Sequence, residues 1–155
     1  MESQKAEFIE VKKNNMESQE VSLESPVKGD FIKLEDIKDD EISSGILGQG
    51  FGVIPKEGIV TAPFRGTVLS LFPTRNALGI KDEDGMQLLI YIGINTSALD
   101  GKYFKALVKQ GDNIEKGQEL LLFDINAIKN EGYDVTTAVI ITNHEDYENI
   151  KFIMV

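Results

Sequence analysis

Ser25–Leu34 reads SPVKGDFIKL, and Ala62–Leu71 reads APFRGTVLSL. The two stretches agree position by position: a small residue, proline, an apolar residue, a basic residue, glycine, any residue, two apolar residues, any residue, leucine. Proline presets the backbone entering a turn, the glycine three residues later accepts the tight geometry, and the apolar residues that follow suit a strand. Val108–Phe123, VKQGDNIEKGQELLLF, is a third related unit, with turn glycines at Gly111 and Gly117 ahead of an apolar run. Repetition of one hairpin-like unit implies a fold built by duplication.

Around these units lie short strand-like runs: GVIP, IVTA, TVLSLF, ALGIKD, QLLIYIGI, ELLLFD, TTAVIIT and KFIMV. Glycine, asparagine and aspartate turns separate them. Helical segments are brief: SALDGKYFKALVKQG holds one or two turns, and DINAIKNEG another, stopped at Gly132. The expected fold class is all-β, an antiparallel β-sandwich or flattened barrel of duplicated hairpins with short helical turns.

The chain's 155 residues are enough for one domain with a sound core. Residues 1–24 are mostly polar and are expected to form a flexible tail, leaving 25–155 as the folded domain. Phe8, Ile9 and Val11 make too narrow an apolar face to hold a membrane alone. There is no cysteine, which rules out disulfides and thiolate metal sites. No apolar run reaches the length of a membrane span, and the N-terminus lacks a signal-peptide core, so a cytoplasmic protein without stable membrane insertion is expected. A formal charge of −10 disfavours nucleic acid and suits a neutral ligand or a partner with a basic face.

Three features resemble sites but read more simply as structure. ILGQGFGVIP has glycines at 48, 50 and 52, yet no Lys-Ser/Thr pair follows, so a bulged strand with tight backbone approach is expected rather than a phosphate loop. DIKDDE, Asp36–Glu41, lacks calcium-loop spacing and reads as a solvated acidic loop. His144, the only histidine, lies in TNHEDYENI and reads as an exposed residue beside a short helix.

From about Ser25 onward the motifs resemble, in order, the glucose-type IIA component of the bacterial phosphoenolpyruvate-dependent sugar phosphotransferase system. SPVKGDFIKLEDIKDDEIS is similar to the family's opening strand and acidic loop, and ILGQGFGVIP to its glycine-rich segment. VTAPFRGTVLSLFPTRNALGI is similar to the central hairpin, GMQLLIYIGINTSALDGKYF to the active-site strand, and VKQGDNIEKGQELLLFD with TTAVIITN to the closing hairpins. The resemblance implies a protein that takes a phosphoryl group from the carrier HPr on a histidine and passes it to the IIB domain of a sugar transporter.

In the family signature, Gly85, Leu88, Leu89, Ile92, Gly93, Ile94 and Thr96 all fit, but Tyr91 occupies the phosphohistidine position. By the same resemblance Asn76 stands at the second histidine, with Thr74 kept beside it. Gln49 and Asn95 stand where aspartates are usual. Phe51, Val53, Phe72 and Leu89 are candidates for an apolar docking collar, and Gly93 completes the expected binding set.

Chemistry gives these replacements weight. Neutral imidazole is a nucleophile with a pKa of about 6.5 and its phosphoramidate is labile, whereas a phenol titrates near about 10 and its phosphate ester is stable. Asn76 hydrogen-bonds but cannot relay a proton as imidazole does. Without paired histidines or cysteine, neither a metal site nor a cofactor is expected.

Three functions follow. The first is a binding or regulatory relative with a degenerate phosphorylation site, whose partner is an HPr-like carrier, a IIB domain or a regulated protein. The second is a working phosphocarrier with a displaced acceptor at His144 or Tyr91. The third is a small-ligand or carbohydrate module using Tyr91 and Asn76. The complete closing strands suggest a free-standing chain, and the oligomeric state is open.

Overall fold

The computed structural model describes residues 5–9, 21–146 and 150–155. Thirteen strands form three sheets among these residues. In chain order they are β1 (Lys5–Ile9), β2 (Val21–Glu24), β3 (Gly29–Lys33), β4 (Gln49–Pro55), β5 (Ile59–Thr61), β6 (Gly66–Leu71) and β7 (Ala77–Asp82). Then follow β8 (Gln87–Ile92), β9 (Phe104–Ala106), β10 (Asn113–Ile114), β11 (Glu119–Phe123), β12 (Thr137–Ile141) and β13 (Ile150–Met154). The seven-stranded sheet has the order β10-β6-β7-β8-β12-β4-β3, and two three-stranded sheets, β5-β11-β9 and β1-β13-β2, complete the sandwich.

The matched units start equivalent strands. Gly29 opens β3 and Gly66 opens β6, near opposite ends of the large sheet. Each is glycine for the same reason. A Cβ at Gly29 would lie 2.1 Å from the Ile54 carbonyl oxygen, and one at Gly66 1.9 Å from that of Lys81. The basic residue before each glycine pairs with an acid beyond the neighbouring strand: Lys28 with Glu57 at 3.8 Å, Arg65 with Glu83 at 3.3 Å. These exposed pairs contribute little individually. The third unit joins the set through its backbone, as Gly117 N–H donates to the Ala62 carbonyl and Ala62 N–H to that of Gln118.

Alternation along the strands sets the core. Leu88, Ile90 and Ile92 of β8 face inward, while Gln87, Leu89 and Tyr91 stay half-exposed on the outer face. Inside, Phe51 stacks on Phe31 at 5.9 Å and meets Phe152 at 4.7 Å between ring centroids. All eight strand runs marked in the sequence are strands.

Elsewhere the structure departs from expectation. β1 and β2 fall within the stretch expected to be a tail, and they flank β13, antiparallel through β1 and parallel through β2. Edge pairing uses backbone hydrogen bonds, which polar composition does not reveal. The rest of that stretch lies outside the described residues. The DIKDDE segment is not a plain loop. It forms a 3-10 turn at Leu34–Asp36 and a helix α1 (Asp40–Ser43), capped by Asp39, whose carboxylate accepts from the N–H groups of Glu41 and Ile42. Gly50 of β4 does meet the neighbouring backbone closely, with a Cβ there falling 1.9 Å from the Val139 oxygen, but β4 pairs without a register shift. The segment expected to be helical after β8 holds one 3-10 turn, Thr96–Leu99, and then β9. Helix α2 (Ile125–Asn130) is as expected, capped by Asp124 and followed by Gly132 at φ +94°.

Candidate functional site

The outer face of the large sheet carries small residues around Tyr91. Its lateral neighbours are Ala77 on β7 and Ala138 on β12, and Gly52 comes next on β4. Gly79 and Ile140 flank Leu89 in the row below. The Tyr91 ring and the Leu89 side chain therefore stand above a low floor. Phe72, from the turn between β6 and β7, meets Tyr91 edge-on at 5.8 Å and 79°.

The segment from Leu34 to Leu47 covers part of this face. Leu34, Ile37 and Ile42 pack with Ala138 and Ile140, and Leu47, Leu89, Tyr91 and Ile94 border that cluster. Gly52 makes room for it, since a Cβ there would meet Ile32 at 2.4 Å and Ile37 at 2.9 Å. The apolar rim ends in Ile46, which is 78% exposed.

Beneath the turn lies a polar chain of side chains. Thr74 Oγ1 donates to Asn76 Oδ1 at 2.6 Å, and Asn76 Nδ2 donates to Thr96 Oγ1 at 3.3 Å. Thr96 Oγ1 in turn donates to the Ile92 carbonyl. Asn76 and Thr96 are fully buried, and every polar atom of the Asn76 amide oxygen–nitrogen pair has a partner. That satisfies the cost of burying the amide. By contrast, the half-exposed Tyr91 makes no side-chain hydrogen bond among the described residues, so its hydroxyl is available to a partner.

The expected site residues thus divide. Tyr91, Leu89, Phe72, Asn76 and Thr74 come together. Phe51 and Val53 do not belong to a docking collar: both are 0% exposed in the interior core. Their strand parity points them inward, a distinction hidden in a run as apolar as GFGVIP. Gly93 is buried at φ +76°, where it lets the chain turn so that Thr96 returns to Ile92. Asn95 is exposed on the same turn at φ +60°. Gln49 pairs with Ile141, three residues along β4 from Gly52, which puts it roughly 10 Å from the Tyr91 row. Sequence reading missed Thr96 as the anchor of Asn76. Its place three residues after a glycine turn was the available signal. His144 is half-buried rather than exposed, and its Nδ1 is buried with no hydrogen-bond partner among the described residues.

A duplicated-hairpin sandwich with a half-exposed residue on its central strand, above a buried hydrogen-bonded floor, is the architecture of IIA-type domains. The fold matches the solved structure of glucose permease IIA from Mycoplasma capricolum with a TM-score of 0.73 at 28% identity, over 89% of this chain and 80% of that one. The chain belongs to the family described as phosphoenolpyruvate-dependent sugar phosphotransferase system, EIIA 1, which it matches over residues 21–147.

Among curated relatives, the PTS system glucose-specific EIIA component of Staphylococcus epidermidis is 41% identical over 130 residues, 84% of this chain and 78% of that protein. The PTS system beta-glucoside-specific EIIBCA component of Halalkalibacterium halodurans is 50% identical over 131 residues, 84% of this chain. The chain spans 20% of the length of that relative and of its Bacillus subtilis counterpart. No helix among the described residues is long and apolar enough to cross a membrane.

Proposed function

We propose that this IIA-type protein is a cytoplasmic docking and regulatory member of the sugar phosphotransferase system that does not relay phosphate, because Tyr91 stands at the phosphoacceptor position. The observation that carries this reading is the side chain itself. A half-exposed phenol with no hydrogen-bonded base faces the docking surface, and among the described residues no imidazole lies near it. A phenol is almost wholly protonated at neutral pH.

The position of His144 counts against a displaced acceptor. Gln87 N–H bonds the side chain of Asn143, so His144 follows the Gln87 end of β8, four residues and roughly 13 Å from Tyr91. Asn76 counts against a sugar-stacking role, because it is fully buried and both ends of its amide are engaged.

The protein would act by occupying a partner: an HPr-like carrier, a IIB domain or a regulated protein. Lacking a phosphate of about −1.5 to −2 charge, its surface remains in one state. Apolar contact through Ile46, Leu47, Phe72 and Leu89 would supply the docking energy, with Gln49 and Asn95 uncharged where the family's aspartates are usual.

The test is labelling by phosphoenolpyruvate, the first enzyme of the relay and HPr, on wild type, Tyr91→His, and Tyr91→His combined with Asn76→His. Unlabelled wild type with acid-labile phosphate on the double variant supports the reading. Label on wild type refutes it.

A further inference from the structure

A second feature lies away from Tyr91 and shares no residue with its surroundings. A cleft of about 820 Å³ opens between β9, the end of β11, the start of α2 and the turn from β4 to β5. That volume is of the size that accommodates small organic ligands. Its lining includes Lys56, Lys105 and Lys129 against a single carboxylate, Asp124. In a chain of formal charge −10, this is a local reversal of sign.

The charges are not mutually neutralised. Lys56 is paired with Asp30 at 3.4 Å, but neither Lys105 nor Lys129 has a carboxylate within ion-pair distance among the described residues. The Asp124 carboxylate is engaged in capping α2, where it accepts from Ala127 N–H at 3.0 Å. Two exposed ammonium groups therefore line the open cleft without ion-pair partners among the described residues, and Asp124 is the one carboxylate in its lining.

One wall is an aromatic ring held in a fixed pose. Tyr103 adopts φ +75°, a left-handed conformation that a non-glycine residue rarely takes. Its carbonyl accepts from Asp124 N–H at 3.0 Å, its hydroxyl donates to Glu131 at 2.9 Å, and the Lys102 ammonium lies 5.0 Å from the ring centroid. A left-handed backbone secured at both ends in this way sets the ring beside the cleft before any ligand arrives.

We infer that this cleft binds a small phosphate monoester, with Lys105 and Lys129 meeting the phosphate and Tyr103 walling the organic part. The two unpaired ammonium groups match the roughly two charges of a phosphate monoester near neutral pH. Lysine binds phosphate as a mobile point charge, and its stem can lie along the apolar lining offered by Leu122. The site does not depend on how Tyr91 is used.

Calorimetric titration of the full chain with inorganic phosphate, glucose 6-phosphate, adenosine monophosphate and unphosphorylated glucose tests the assignment. At least one monoester should bind, more tightly than inorganic phosphate, while glucose gives no binding. Lys105→Glu combined with Lys129→Glu should weaken it tenfold or more, and the matching pair of arginine substitutions should retain it. Circular dichroism on both variants separates a lost site from a lost fold. Tyr91→Ala should leave binding unchanged. The inference is overturned if no monoester binds, if inorganic phosphate binds as tightly as the esters, if the glutamate pair binds as wild type does, or if Tyr91→Ala abolishes binding.

Discussion

Asn76 and Thr96 are joined beneath the face that carries Tyr91 by a side-chain hydrogen bond of 3.3 Å, although they lie 20 residues apart and on different turns. This bond ties the turn between β6 and β7 to the turn after β8, so the two segments that frame Tyr91 hold a common geometry. An asparagine suits the position because it accepts from Thr74 and donates to Thr96 at once.

Asn76→Ala takes the acceptor from the Thr74 hydroxyl and the donor from the buried Thr96 oxygen, which still donates to Ile92, and should cost about 1–3 kcal/mol in chemical denaturation. Asn76→Asp should cost more at neutral pH, because a buried carboxylate keeps the acceptor and loses the donor that Thr96 needs. Burial raises the pKa of such a carboxylate, so its penalty is present above the folded pKa and relieved as pH falls. An Asn76→Asp protein that loses stability relative to wild type on acidification would contradict this account.

Phe51 and Phe72 should separate core from docking face. Phe51 is wholly buried between Phe31 and Phe152, so Phe51→Ala should cost about 3–5 kcal/mol. Phe72→Ala loses one edge-on contact and should cost no more than about 1.5 kcal/mol. Partner binding should nonetheless be weakened by Phe72→Ala, measured by titration at a temperature where both proteins are folded.

The matched glycines allow a steric test. Gly29→Ala or Gly66→Ala forces a methyl group into a carbonyl oxygen of the next strand and should cost about 2–3 kcal/mol or more. Gly111→Ala faces open space at φ +92° and should cost only the left-handed penalty of about 1–2 kcal/mol. Equal losses in thermal and urea denaturation would mean that the close approach in β3 and β6 does not matter.

Glu131 supplies a pH dependence. The Tyr103 hydroxyl and then the Lys102 ammonium hold its carboxyl below the ordinary value of 4.5. Its contribution to stability is therefore full above that ordinary value and is lost as pH falls through and below it. Wild type and Glu131→Gln should differ most near neutral pH, and the gap should narrow as pH falls below the ordinary carboxylate value of 4.5. A gap that stays constant through that fall would remove Glu131 as its source.

Much of this was legible in the residues because sterics and burial leave periodic marks. The Pro-to-Gly units located β3 and β6, the apolar run QLLIYIGI located β8, and Gly132 located the end of α2. Backbone-only relationships left no such mark, which is why the pairing of β1 and β2 with β13 escaped notice. In the apolar run of β4 parity is not legible, so Phe51 and Val53 stood as collar candidates although they face the core. At the site, Tyr91 and Asn76 were visible as residue types, but the partner that fixes Asn76 belongs to another turn.

The carbonyls facing Gly29 and Gly66 also bear on how the two halves of this chain can change with time. Each glycine is held by an oxygen of its own neighbouring strand, independently of its counterpart. Internal symmetry of this kind does not depend on shared ancestry for its upkeep. The residues around the two glycines can change, yet the same geometry would keep rejecting any side chain at both positions, so both glycines should persist after the likeness between the surrounding residues has faded.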